Sequence, residues 1–245
     1  MRKLFIGALV GVLALAVAAI ALADTTQTYK QKFSTNKAGK SAGTTFSTSS
    51  TDTSNTANNN QPKSVRTFGL VFPAGTKIDY KGDDLCNATD DEMIQAGGKP
   101  ACPKAVIGAG QARVRLPFPG GADINAKVTA FNAKRSLVLY VDPSPIAQPI
   151  ILRPKFKGLA LNTTVPPNCL PPATNQGGQC KKQDGSQGQE AILTYFQLKT
   201  VAKKKGTHTL IKTPAKCSGT WKFRANLKYG DGTSKTIDSP VPCKK

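Results

Sequence analysis

Acidic side chains are scarce in this chain and histidine is nearly absent: 14 Asp and Glu stand against 34 Lys and Arg, with one His among 245 residues. A glycosidase built on paired carboxylates needs two acids held about 5–10 Å apart in a cleft. Asp83, Asp84, Asp90, Asp91 and Glu92 form the one acidic cluster, and nothing in that run points to such a pair. A histidine relay would have to pass through His208, in Gly206-Thr207-His208-Thr209, where no neighbour suggests a triad. G-x-S-x-G, H-E-x-x-H and Walker A sequences are all missing. Gly108-Ala109-Gly110 matches only the first three positions of a dinucleotide fingerprint and sits in a strand-like run. There is no C-x-x-C, and one remote histidine leaves zinc without a ligand set. Calcium wants oxygen ligands at alternate loop positions, a spacing shown neither by the acidic cluster nor by Asp184-Gly185-Ser186. No catalytic residue, cofactor or metal ligand is therefore assigned.

After residue 23 no apolar run approaches the length needed to span a bilayer. Before it, Arg2 and Lys3 precede an uncharged apolar stretch, Leu4 to Ile20, and Ala21-Leu22-Ala23 supplies small residues where a signal peptidase reads. Cleavage is expected between Ala23 and Asp24. The competing reading, an uncleaved anchor, is disfavoured by the alanine and glycine content of the stretch. No cysteine follows it for lipid attachment. The expected product is residues 24–245, secreted or held at the cell envelope, with a formal charge of +18 once Arg2 and Lys3 are gone.

An exported chain places its six cysteines in an oxidising compartment. Six allow 15 pairings, and spacing favours the local set Cys86–Cys102, Cys169–Cys180 and Cys217–Cys243. The last is argued most strongly. Trp221, Phe223, Ala225, Leu227 and Tyr229 alternate with Lys222, Arg224, Asn226 and Lys228, the period of a half-buried strand. Gly230-Asp231-Gly232 then turns the chain, and Thr233 to Val241 returns beside it. That hairpin brings Cys217 and Cys243 nearly opposite each other. Between Cys86 and Cys102, Thr89-Asp90-Asp91-Glu92 reads as a capping box opening a short helix, stopped by Gly97-Gly98. A bond across this loop is worth about 3 kcal/mol in the chain-entropy model.

The rest of the chain is punctuated by turns. Strand candidates are Val65 to Phe72, Val106 to Leu116, Ala122 to Phe131, Ser136 to Val141, Ile150 to Phe156, Leu159 to Val165, Ala191 to Val201 and Thr207 to Ile211. This pattern predicts an all-β protein, a β-sandwich of immunoglobulin-like or Greek-key style, with a small disulfide-clamped helical insertion at 86–102. The expected organisation is a signal peptide at 1–23, a Thr/Ser/Asn-rich segment at 24–60 and the sandwich domain at 61–245. Within 24–60, two peripheral strands around Tyr29 to Phe33 and Thr44 to Thr51 are expected, then a disordered loop from Asp52 to Gln61.

Cys86, the acidic helix start, Cys102-Pro103 and Ile107-Gly108-Ala109-Gly110 resemble a family of uncharacterised exported, disulfide-containing β-rich proteins of actinobacterial type. The likeness continues through Gln61-Pro62-Lys63-Ser64-Val65, Phe72-Pro73-Ala74-Gly75, Val128 to Asn132, Trp221 to Tyr229, Asp231-Gly232 and Cys243, covering about residues 61–245. The chain departs from that pattern in three ways. It lacks the serine usual after Cys-Pro, is one residue short there, and carries the Cys169–Cys180 loop as an insertion. The resemblance implies export and a β-rich fold, and no activity.

The basic surplus remains. Lys155 and Lys157, Lys181-Lys182, Lys203-Lys204-Lys205, the Lys222/Arg224/Lys228 face and Lys244-Lys245 spread over several loops and one strand. Lys203, Lys204, Lys205, Lys222, Arg224 and Lys228 are the candidate polyanion-binding residues. The expected function is a secreted, non-catalytic cell-envelope or extracellular binding or structural protein engaging anionic polymers. The alternatives are a carbohydrate-binding module, which needs exposed aromatic side chains in a row, and a secreted hydrolase. Sequence-specific nucleic-acid binding is not expected, because no recognition module is visible and the aromatics alternate away from the Lys222 face. Trp221 reads as core, given Phe223 and Leu227 on its face.

Overall fold

A computed structural model describes residues 25–53, 60–118, 122–144 and 148–245. The signal segment 1–23, its cleavage site at Ala23 and Asp24, and most of the expected loop from Asp52 to Gln61 lie outside the described residues. In chain order the first strands are β1 (Thr26–Phe33), β2 (Thr44–Thr51), β3 (Val65–Val71) and β4 (Lys77–Ile78). The helix α1 (Asp90–Gln95) follows, then β5 (Val106–Arg115), β6 (Asp123–Ala133), β7 (Ser136–Asp142), β8 (Ile150–Leu152), β9 (Lys155–Lys157) and β10 (Ala160–Thr164). Next come β11 (Asn168–Cys169), β12 (Thr174–Gln176), β13 (Gln179–Lys181) and β14 (Glu190–Thr200). The chain closes with β15 (Lys204–Lys205), β16 (His208–Thr209), β17 (Ile211–Lys212), β18 (Thr220–Tyr229) and β19 (Ser234–Pro242).

In place of the two-layer sandwich expected from strand spacing, one large sheet dominates, with three two-stranded ribbons, β12-β13, β15-β16 and β17-β4, beside it. The strands of the large sheet run β1-β2-β14-β5-β6-β7-β9-β10-β3-β18-β19, and every pairing along that path is antiparallel. The two ends meet: Gln31 on β1 donates its N–H to Ser239 Oγ on β19 (3.0 Å), and that hydroxyl donates to Gln31 O (3.2 Å). The result is a nearly closed, barrel-like shell. Residues 24–60 thus supply two strands of the same sheet, and Tyr29 and Phe33 are buried in the same core as Phe223.

Local chemistry explains the curl. On β5, a Cβ at Gly110 would lie 1.9 Å from the Gln197 carbonyl oxygen of β14, and one at Gly108 would lie 2.4 Å from that of Lys199. Only glycine permits so close a backbone approach between β5 and β14, the kind of contact found where barrels turn a corner. The Gly-Ala-Gly run that imitates a nucleotide motif is a sheet corner. Near the opposite end, β18 follows its alternating pattern residue for residue, with Trp221, Phe223, Ala225, Leu227 and Tyr229 buried. The turn after it is held by Asp231, which accepts from Thr233 N (2.9 Å) and Thr233 Oγ1 (2.6 Å), with Gly232 at φ +85°. These hydrogen bonds, chiefly from the Thr233 hydroxyl, hold the Asp231 carboxyl down at about 2.

The cysteines join as Cys86–Cys102, Cys169–Cys180 and Cys217–Cys243, with Cα separations of 5.3, 5.2 and 5.8 Å, and none is free. Each face of the β6–β7 wall is apolar. Val128, Ala130, Leu137, Leu139 and Val141 join the interior core, while Phe131, Val138 and Tyr140 point outward and pack with Met93 of α1 and Cys86 and Cys102. Thr89 caps α1 reciprocally with Glu92: its Oγ1 accepts from Glu92 N (3.2 Å) and its N–H donates to the Glu92 carboxylate (2.7 Å). That capping holds the Glu92 carboxyl below its usual range. The clamped helix therefore works as a cover over an outer apolar patch.

Candidate functional site

The single histidine has a partner that its sequence neighbourhood hides. His208 Nδ1 lies 2.7 Å from Asp79 Oδ2, with both side chains partly exposed. Asp79 also accepts from Lys81 N (3.0 Å) at the start of the short 3-10 turn Tyr80–Gly82, and its carboxyl is held low, first by His208. Lys203 meets Asp83 at 3.1 Å, and Lys205 pairs with Asp84. Two of the three lysines in the Lys203-Lys204-Lys205 run are thus matched by carboxylates, Asp83 and Asp84. Among the described residues there is no group of three or more His, Cys, Asp or Glu placed to hold a metal.

The remaining candidates, Lys222, Arg224 and Lys228, belong to a different surface. Residues paired directly across neighbouring strands share a face, so the register maps that surface. One row reads Lys157 (β9), Ala160 (β10), Val71 (β3), Arg224 (β18) and Asp238 (β19). The next reads Lys155, Asn162, Gly69, Asn226 and Thr236. Lys228 lies beside Thr67, and Lys222 beside Pro240. Lys155, Lys157, Lys222, Arg224 and Lys228 are all exposed on this outer wall, where the rows contain one carboxylate, Asp238. Arg224 grips it through Nε (2.7 Å) and Nη2 (3.4 Å), with Lys222 at 3.6 Å. The arginine contact, before the lysine, keeps the Asp238 carboxyl low. Along β1, Lys30 and Lys32 flank the inward Gln31 that touches β19, so they extend the same wall. At its centre Gly69 has no side chain, and Asn162 Oδ1 would lie 2.9 Å from a Cβ placed there. The wall is a floor of small and polar residues, Ala160, Val71, Asn162, Gly69 and Asn226, edged by cations.

Two features escape sequence reasoning. The first is an ion pair between Arg66 and Glu190, fully bidentate at 2.6 and 2.7 Å, with both side chains less than one-fifth exposed. Ser64 Oγ donates to the same carboxylate (2.8 Å), tying β3 to β14. A bulge causes it. The β3–β18 register shifts between Lys228 and Tyr229, so Val65 opposes the inward Tyr229 and Arg66 falls out of alternation. The second is a hollow inside the shell, walled by apolar side chains from most of the strands.

The aromatic side chains bear on the carbohydrate-binding alternative. Trp221 is buried, donates Nε1–H to Lys216 O (3.1 Å) and meets Phe33 edge-on at 5.4 Å. Among the described residues, Phe118 is the one aromatic with a largely exposed surface among the large apolar side chains. Among the described residues no helix is long and apolar enough to cross a membrane. Comparison with protein-family models, curated proteins and solved structures finds no match for this chain.

Proposed function

We propose that this is an exported, non-catalytic binding protein that holds anionic polymers on the outer wall formed by β9, β10, β3, β18 and β19. One observation carries the reading: the register gathers Lys155, Lys157, Lys222, Arg224 and Lys228 onto a single face against one carboxylate. Cations carried on a sheet at strand spacing present a field to a polyanion without an ordering cost for the backbone that bears them. Three disulfides support an oxidising setting outside the cytoplasm. Cell-envelope polymers bearing phosphate or carboxylate are the substrate class this charge pattern suits, and a secreted location fits the leading segment.

The test compares two triple variants of equal charge on a phosphocellulose column. Residues 24–245 should be retained at about 0.15 M salt and released as screening rises. Lys222→Gln/Arg224→Gln/Lys228→Gln should elute at clearly lower salt than Lys203→Gln/Lys204→Gln/Lys205→Gln, although each loses three positive charges. Equal shifts for the two would reduce the effect to net charge and reject the wall as the site.

A further inference from the structure

We propose that the interior of the shell is a binding site for small uncharged apolar molecules, on the scale of one aromatic ring or a short alkyl segment. An eleven-strand path encloses more width than inward side chains fill; about eight strands already suffice to hold side chains or one small ligand. The space left here is a cavity of about 100 Å³ bounded by Phe46, Phe68, Phe72, Phe196, Leu139 and Leu161, among others. That is the order of size of a ~150 Å³ apolar cavity that stays dry and takes up benzene.

Its chemistry selects against charge. Among the described residues no Asp, Glu, Lys, Arg or His lines it. Several polar groups on its wall already have partners. Gln27 Nε2 donates to Thr48 Oγ1 (2.6 Å), Ser50 Oγ donates to Gln27 Oε1 (3.0 Å), and Thr44 and Thr200 share a hydrogen bond (3.2 Å). Asn132 Nδ2 is spent on the carbonyls of Tyr80, Asp83 and Asp84. An occupant therefore gains by apolar contact alone.

A neighbouring hollow lies on the side from which an occupant would enter. A second hollow of about 230 Å³ shares Val65, Leu152, Val165, Leu193 and Phe196 with the first. Its far side reaches the solvent-exposed Pro166 and Asn168. Glu190 borders this hollow, but its carboxylate is engaged by Arg66 and Ser64, so the mouth does not demand a cationic ligand. The shared residues stand between the two hollows, where an occupant would have to pass.

The experiment is a benzene titration of residues 24–245 followed by methyl carbon–proton NMR. Saturable shifts are expected at Leu152, Val165 and Leu193, while methyls of the exposed Ile94 and Leu85 stay still. Leu193→Phe, which puts bulk between the two hollows, should weaken benzene binding at least tenfold. If that variant does not fold, xenon uptake by the unsubstituted protein decides, with density expected between Phe46, Phe68 and Phe196. Absence of saturable shifts and of internal xenon would overturn the proposal, as would shifts confined to the outside of the shell. The cationic wall is untouched by these probes, so either site stands or falls without the other.

Discussion

Phe223→Ala should cost about 4 kcal/mol of stability, enough to lower the melting temperature of a chain this size by roughly 10 °C. Phe223 has no exposed surface and packs inside the shell close to where the two ends of the sheet meet. Its ring centroid lies 4.8 Å from that of Phe33 on β1 and 5.9 Å from that of Phe72 just after β3. Removing it leaves a void against a wall that has little else to move, since the neighbouring Ala225 is small and also fully buried. Lys222→Ala, one residue away on the opposite face, is the matched control. Its exposed contact with Asp238 at 3.6 Å is screened by solvent, so the midpoint should hardly move. Equilibrium denaturation of both variants checks the contrast. Similar midpoints would mean that β18 does not present the two faces described.

Gly110→Ala should destabilise by about 3 kcal/mol or more, an unusually large effect for adding one methyl group. The added Cβ would lie 1.9 Å from the Gln197 carbonyl oxygen and 2.9 Å from Leu198 Cα, both backbone atoms that no rotamer change can move aside. Relief requires β5 and β14 to separate. Their pairing at Gly110–Leu198 sits in the middle of a ladder running from Ile192–Arg115 to Thr200–Gly108. Ala109→Ser, on the exposed residue beside it, should fall within about half a kcal/mol of the parent. Denaturant midpoints and amide exchange at Gln197 and Leu198 separate these outcomes. A Gly110→Ala protein of unchanged stability would show that the corner is not as tight as drawn.

How far these features could be read in advance depends on their range along the chain. The β18–β19 hairpin, the capping box at Thr89 and the local cysteine pairs are short-range. Alternation, a Gly-Asp-Gly turn and an S/T-x-x-E pattern are each visible within ten residues. The threonine-rich strand β2 was legible for the same reason. Sheet order was not, because β14 must insert between β2 and β5, and β3 must find β18, over separations that periodicity does not encode. Stacked sandwich and curled shell share one alternating pattern, and close-approach glycines such as Gly108 and Gly110 decide between them. The basic candidates divide along the same line. Lys222, Arg224 and Lys228 were legible as one face from alternation alone. Joining them to Lys155 and Lys157 needed the β3–β10 pairing, and the matching of Lys203 and Lys205 by Asp83 and Asp84 needed tertiary contact. Arg66 was hidden by a bulge.

The cationic wall rests on one register, in which Gly69 stands between Asn162 and Asn226, and Val71 between Ala160 and Arg224. Interproton contacts across β10, β3 and β18, measured by NMR on residues 24–245, test it directly. Cross-strand contacts linking Gly69 to both Asn162 and Asn226 are the result expected here. Contacts placing Gly69 opposite Leu161 or Ala225 instead would shift the pairing by one residue, turn the lysines of adjacent strands to opposite faces, and dissolve the site.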